Sequence, residues 1–145
     1  MTSKIVFLTM SMMACAGLAR GAEPDPILLR QAIMDLQGGA LAGITAVANA
    51  KGDVKKTELA ARGLQRSGSM IVALFPKGTE TGQNTKAKAE IWSDPAGFKK
   101  AVDTFDEAAT KLVDATRTGN PETVLASVKT VEDACVSCHR SYRNR

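Results

Sequence analysis

The chain has 145 residues, of which 44% are hydrophobic and 4% aromatic, and its formal net charge at neutral pH is +4. This charge is too small to favour nucleic acid or a membrane surface as the partner. The length is that of one domain, and the scarcity of aromatic residues and of proline favours a small all-helical protein.

The N-terminal residues 1–21 have the pattern of a Sec-type signal peptide. A short basic start ends at Lys4, Ile5–Ala19 is almost continuously apolar or small, and Ala19-Arg20-Gly21 places small residues at the two cleavage-determining positions. The apolar run is shorter than the roughly 20 residues that a membrane span needs. An uncleaved anchor and, through Cys15, a lipoprotein are the alternatives.

Cleavage after residue 21 would remove two cations and leave residues 22–145 with a formal charge of +2. The sequence therefore predicts a periplasmic protein whose mature chain has no membrane span. These remaining residues are enough for one domain.

Four helix starts follow in chain order. Asp25-Pro26, Asp94-Pro95 and Asn120-Pro121 each combine an N-cap side chain with proline at the first helical position. Gly52-Asp53 keeps the capping aspartate without the proline, and Gly119 is a plausible end of the third helix. The sequence therefore predicts four helices.

Apolar residues recur every three or four positions after each start, which is the spacing of one buried helix face. Four such faces predict an all-α, antiparallel four-helix bundle, with a long link near Pro76–Ser93 crossing one end. The apolar positions are Ile27, Met34, Leu41, Ile44 and Val47 in the first helix, Ala61, Leu64, Gly68, Ile71 and Phe75 in the second, Phe98, Val102, Phe105, Ala109 and Leu112 in the third, and Val124, Val128, Val131, Cys135, Cys138 and Tyr142 in the fourth.

The last helix carries Cys135-Val136-Ser137-Cys138-His139, a C-x-x-C-H sequence. This pattern is the attachment signature of a c-type haem. A zinc site would need about four Cys or His ligands, and the chain has three cysteines and one histidine. A thioredoxin-like dithiol would need a βαβ pattern, which the sequence lacks. We therefore predict one covalent haem c, attached through Cys135 and Cys138 and ligated by His139, inside the bundle near one end.

For the second iron ligand the residues alone leave three alternatives. His139 is the only histidine, so the opposite face of the iron holds a methionine thioether, a lysine amine or no side chain. Residues 22–145 contain Met34, on the inward face of the first helix, and Met70, one position off the face of the second. Methionine on a helical stripe is more often a core side chain than a ligand.

The motif at the extreme C-terminus of an all-helical chain resembles cytochrome c′, also called class II cytochrome c, over essentially the whole mature chain. The chain departs from the family pattern at Lys86, where arginine is common, and at Ala89, where proline is common. The other residues that carry the resemblance are Arg30-Gln31, Leu74-Phe75-Pro76-Lys77-Gly78-Thr79, Ile91-Trp92 and Tyr142-Arg143.

The resemblance implies roles for several further residues. Low-spin members place methionine four positions after the arginine of Arg-Gln, and here that position is Met34. Arg30 and Gln31 are expected near the haem, with Arg30 pairing a haem propionate. Asn84 and Thr85, in the long link, are expected to reach the propionates. Dimers through the first two helices occur in the family, and the sequence leaves monomer and homodimer open.

We therefore expect a periplasmic electron carrier and not an enzyme, with a six-coordinate low-spin iron between His139 and Met34. The alternative is a five-coordinate cytochrome c′ that binds nitric oxide or carbon monoxide. Redox proteins are the expected partners of the carrier. A basic cluster is either a surface that steers an acidic partner or an ordinary solvated surface; it consists of Lys99, Lys100, Arg140, Arg143 and Arg145.

Overall fold

The computed structural model describes residues 23–145, and the predicted signal peptide lies outside the described residues. Single 3₁₀ turns at Val54–Thr57 and Ile71–Leu74 precede and follow the second helix. Within the described part of the chain, no helix has both the length and the apolar character to span a membrane. The α-helices of this part are α1 Pro26–Asn49, α2 Glu58–Gly68, α3 Glu90–Ser93, α4 Pro95–Thr118 and α5 Pro121–Tyr142.

The predicted starts of the three long helices are confirmed by their caps. A side-chain oxygen of Asp25, Asp94 or Asn120 accepts a hydrogen bond of 2.8–3.0 Å from a backbone amide in the following first turn. Each bond satisfies an amide that has no partner within its helix. Gly119 ends α4 with φ of +74°, a left-handed conformation that glycine adopts without strain.

The second predicted helix is divided in the structure. Asp53 accepts a bond of 3.2 Å from the Lys55 amide, but the first turn is 3₁₀ and α2 ends at Gly68. A Cβ at Gly68 would lie 2.7 Å from a ring carbon of Phe105, so this glycine allows α2 to approach α4 closely. Glycine is also a poor helix former, and the chain continues as the 3₁₀ turn Ile71–Leu74.

Helices α1, α2, α4 and α5 form the predicted four-helix bundle. Short turns join α1 to α2 and α4 to α5, so the helices of each pair run antiparallel, and α4 packs against both α5 and α2. Their apolar faces meet in one core. Its largest fully buried apolar side chains are Ile44, Val54, Leu64, Leu112, Val124 and Val131.

The link between α2 and α4 closes one end of the bundle. The Lys88 amide donates to the Tyr142 carbonyl at 3.0 Å, and the Asn144 amide donates to the Lys86 carbonyl at 2.7 Å. Residues 86–88 and 142–144 therefore pair as a short antiparallel bridge, which the sequence did not predict. This bridge holds the link against the end of α5 that carries the C-x-x-C-H sequence.

Candidate functional site

A cavity of about 850 Å³ lies between α1 and α5 at the end of the bundle that the link closes. Cofactor pockets in proteins have volumes of about 300–1,000 Å³. The cavity is bounded by side chains of α1 on one side and of α5 on the other, with Phe98 and Phe105 of α4 among the residues behind them. We refer to it as the haem cavity, because it contains the predicted haem-binding residues.

Cys135, Cys138 and His139 of α5 all line the haem cavity. Both thiols are free and half-buried. Burial is the main cause that raises the pKa of each thiol, and the Glu132 carboxylate raises the pKa of Cys135 further. The structure thus places two uncharged thiols, three residues apart, on the same cavity as the imidazole, as attachment of haem c requires.

His139 is suited to bind a metal that already has other ligands. Burial is the main cause that lowers its pKa, and the nearby Arg143 cation lowers it further. A lowered pKa favours the neutral imidazole, which is the form that coordinates iron. Among residues 23–145 no three His, Cys, Asp or Glu side chains are grouped so that they could hold an ion. The imidazole of His139 fits the iron of a porphyrin, which brings its own ring nitrogens as ligands. It does not fit the zinc alternative, which would need about four protein ligands.

Met34 is the methionine that the structure places at the haem cavity. It lies on the α1 side, is partly buried and packs against the hydrophobic core. Met70, by contrast, is 53% exposed and does not line the cavity. The Met34 side chain therefore has the surroundings of a core residue and also lines the haem cavity.

Arg30 is buried at the edge of the haem cavity, with 3% of its surface exposed. Its guanidinium donates to the Thr79 carbonyl at 2.7 Å and to the hydroxyls of Thr79 and Thr85 at 2.8 Å each. It also lies 4.6 Å from the centre of the Phe75 ring. All of these partners are neutral, and no carboxylate in the described residues lies within 4.0 Å. A buried cation with only neutral partners would be stabilised by a bound anionic group.

The other predicted haem contacts divide into two groups. Gln31 and Thr85 line the haem cavity, and the Gln31 side-chain amide donates to the Gln83 carbonyl at 3.1 Å. Asn84 is exposed and does not line the cavity. Its φ of +53° places it in a left-handed turn, a conformation that asparagine tolerates better than most residues. The structure therefore assigns Asn84 to the turn of the link and not to the cavity.

A contact that the sequence reasoning missed joins Tyr142 of α5 to Asp94, the N-cap of α4. Burial, followed by the charge of the Asp94 carboxylate, raises the pKa of Tyr142. A Cβ at Gly97 would lie 2.7 Å from the Tyr142 hydroxyl, so the glycine makes room for it. Tyr142 also lines the haem cavity. The motif in Asp94-Pro95 identified the cap but gave no indication of this second role.

Comparisons with known proteins agree with this site. The family model described as cytochrome c′ matches residues 25–143. A curated relative, cytochrome c′ of Rubrivivax gelatinosus, is 41% identical over 71 residues, which are 49% of this chain and 55% of the relative. The chain thus spans only about half the length of the first curated relatives it matches.

Solved structures match over a longer part of the chain. A nitric oxide complex of a leucine variant of cytochrome c prime from Alcaligenes xylosoxidans has a TM-score of 0.74 and 28% identity, and the match covers 83% of this chain and 94% of that one. A carbon monoxide complex of another leucine variant has a TM-score of 0.76 and 29% identity, with 86% and 98% covered.

These relatives contradict the predicted electron carrier. Both of the solved structures just described hold nitric oxide or carbon monoxide, and a gas ligand needs an iron face that no side chain occupies. The prediction of a six-coordinate, low-spin iron between His139 and Met34 is therefore wrong. The error has a physical reason, because the spacing that directs Met34 inward is the same for a ligand and for a core side chain.

Proposed function

The chain belongs to the cytochrome c′ family, and we propose that it is a periplasmic protein that binds nitric oxide or carbon monoxide at a five-coordinate haem c. Family membership confirms the predicted covalent haem c. One observation carries the proposal: relatives that share this fold over more than four fifths of the chain hold these gases. The haem cavity of this chain presents a single imidazole, that of His139, so the opposite iron face has no second histidine ligand.

The residues of α5 provide the attachment. Cys135 and Cys138 would each form a thioether bond to the haem, and the neutral imidazole of His139 would bind the iron from the α5 side. The bound haem supplies an iron that can accept one diatomic ligand on its second face. Because the three side chains lie on one helix turn, α5 determines which face of the group points towards α1.

Met34 forms part of the wall on the opposite side. We propose that its side chain packs over the open iron face without binding the iron. Methionine and leucine have similar volumes and exchange at small cost, and the unbranched methionine side chain changes rotamer readily. Such a wall excludes large ligands and leaves room for a diatomic gas once the side chain moves.

Arg30, Gln31 and Thr85 define the polar edge of the haem cavity. The buried Arg30 guanidinium hydrogen-bonds only to neutral groups of the described chain, and the Asp25 and Glu80 carboxylates act on it from beyond 4.0 Å, so a haem propionate would supply a direct anionic partner. Thr85 is already bonded to Arg30, and Gln31 is bonded to the link. We propose that this edge orients the propionates while α5 holds the iron.

The cellular setting is part of the proposal. Residues 1–21 would direct export and be removed, leaving 22–145 as the functional chain, which acts as a binding protein and not as an enzyme. A solved relative is described as a cytochrome c′ with ligand-controlled dimer dissociation. We propose that this chain, too, is a monomer or homodimer. Intact mass of the periplasmic protein and sedimentation with and without carbon monoxide test these two points.

Titration of the reduced protein with carbon monoxide tests the proposed function. We expect saturable uptake of one gas molecule per haem, with a shift of the visible absorption bands. A matched pair of variants locates the effect: Met34→Ala enlarges the haem cavity and should speed binding, whereas Met70→Ala, at an exposed position outside the cavity, should not. A reduced protein whose spectrum does not respond to carbon monoxide would refute the proposal.

A further inference from the structure

A second, more open cavity of about 440 Å³ lies between α1 and α5 and is called the α1–α5 groove below. Its α1 side includes the small residues Gly38, Ala42 and Ala46, and α5 contributes Glu132. Gly38, Leu41 and Glu132 line both the groove and the haem cavity. The two spaces therefore meet at these three residues.

Gly38 leaves open space at this junction. A Cβ at Gly38 would have no heavy atom of another element within 4 Å. At Gly68, by contrast, the missing Cβ is explained by the close approach of Phe105. Glycine inside a helix costs about 1 kcal/mol relative to alanine. No packing contact accounts for that cost at Gly38. Gly39 and Gly43 of α1 are equally open, and Gly38 differs from them in lining both the groove and the haem cavity.

Two other sides of the haem cavity are formed by packed structure. Behind it, Phe98 and Phe105 belong to the hydrophobic core and are 4% and 5% exposed. At the end of the bundle, residues 86–88 are hydrogen-bonded to residues 142–144. At the groove, by contrast, the glycine and alanine residues of α1 lie next to the haem cavity, together with Leu41, Thr45 and Asn49.

We propose that the α1–α5 groove is the path by which a diatomic gas enters the haem cavity, and that the junction at Gly38 is its narrowest controllable point. The inference rests on the proposed gas-binding function. Nitric oxide and carbon monoxide are small and uncharged, so they pass between alanine and glycine side chains without the cost of burying a charge. A larger side chain at the junction would obstruct this passage without touching the haem attachment on α5.

The variant Gly38→Leu tests this path. Because a path affects entry and exit alike, we expect the association and dissociation rate constants for carbon monoxide to fall together by about tenfold, with the dissociation constant nearly unchanged. Flash photolysis gives the association rate, and displacement by excess nitric oxide gives the dissociation rate. Gly43→Leu is the matched control, since Gly43 is also an open glycine of α1 but lines neither cavity.

If Gly38→Leu alters folding, its rate constants no longer test the path, and two further measurements test it instead. Ala42→Leu obstructs the groove one turn further along α1 and should slow both rates in the same way. Crystals pressurised with xenon report on the passage without any ligand at the iron. We expect xenon density in the groove of the unchanged protein and none beside Leu in Gly38→Leu, since xenon occupies apolar cavities of proteins.

The outcomes separate the path from the function. Carbon monoxide binding with equal rates in Gly38→Leu and Gly43→Leu would overturn the path and leave the gas-binding function intact. A change in only one of the two rate constants would also overturn it, because it would show an effect on the bound state. If the groove of the unchanged protein shows no xenon density, the proposed path is wrong. The path is also wrong if the unchanged protein and Gly38→Leu both show xenon density there. Failure of the unchanged protein to bind carbon monoxide would overturn both proposals.

Discussion

The two walls of the haem cavity are built in different ways. On α5, the residues of the C-x-x-C-H sequence lie within five positions, so one helix turn brings them to the same side. On α1, Arg30 takes its surroundings from Thr79 and Thr85, which are 49 and 55 residues away in the chain. The haem attachment depends on local spacing, so the sequence shows it. The role of Arg30 depends on a distant part of the chain that folds over it, so the sequence does not show it.

The largest expected effect comes from removing the local chemistry of the α5 wall. The double variant Cys135→Ser/Cys138→Ser should carry no haem after denaturation, because both thioether bonds are lost. Haem stain on a denaturing gel measures this, and the thermal midpoint should fall as well, since a cavity of about 850 Å³ loses its bound group. Ser137→Ala, between the two cysteines, is the control. Covalent haem in the double variant would show that other residues attach it.

The next effect concerns the tertiary contacts of the α1 wall. Arg30→Gln removes the charge and most of the hydrogen bonds to the link, and we expect the free energy of unfolding to fall by about 3 kcal/mol. Arg30→Lys keeps the charge but loses the fork geometry, so it should recover only part of the loss. Denaturant unfolding of the holoprotein measures both. The control is Arg66→Gln, at an exposed position of α2. Equal stability of Arg30→Gln and that control would contradict the proposed anchoring.

In the core behind the two walls, we expect two glycine substitutions on α2 to change the free energy of unfolding in opposite directions. Gly68→Ala would place a Cβ 2.7 Å from the Phe105 ring and should destabilise the protein by about 2 kcal/mol. Gly63→Ala on the same helix meets no atom within 4 Å and should stabilise it by up to about 1 kcal/mol. Thermal unfolding distinguishes the two. Destabilisation by both variants would mean that helix packing at Phe105 is not the reason for Gly68.

The sequence predicted the parts of the fold that depend on local rules. The caps at Asp25, Asp94 and Asn120 and the apolar spacing gave the four main helices and the bundle. The break at Gly68 was not predicted, because it depends on a contact with α4. The bridge between residues 86–88 and 142–144 was not predicted either, since a pairing of two short extended segments leaves almost no pattern in composition or periodicity.

The site shows the same division. The haem attachment was predicted from the spacing of its three residues, and the structure places all three on the haem cavity. The expectation for Met34 as an iron ligand came from its position in the family pattern, and the comparisons with gas-bound relatives overturned the function built on it. Asn84 was expected at the propionates; it lies in a left-handed turn of the link outside the haem cavity, and its contact with a propionate stays a prediction. Roles of these residues depend on side-chain surroundings that a single sequence does not contain.

The smallest expected effect is the titration of Tyr142, at the boundary of the α5 wall and α4. Its pKa is raised above the usual value of 10.0 by burial and by the Asp94 carboxylate. The neutral phenol therefore contributes stability that is fully present below pH 10 and is lost as the pH rises above it. Tyr142 is the only tyrosine, so no other phenol contributes to the ultraviolet difference absorbance of tyrosinate. Asp94→Asn keeps a capping side chain but should lower this pKa, and a wild-type value at or below 10 would contradict the contact.

The central claim is that the iron face opposite His139 is open. Resonance Raman and visible absorption spectra of the purified protein, oxidised and reduced and without added gas, test it most directly. We expect a five-coordinate, high-spin iron in the reduced protein, unchanged in Met34→Leu. A six-coordinate, low-spin iron that becomes high-spin in Met34→Leu would contradict the account, because it would show a thioether bond from α1 to the iron.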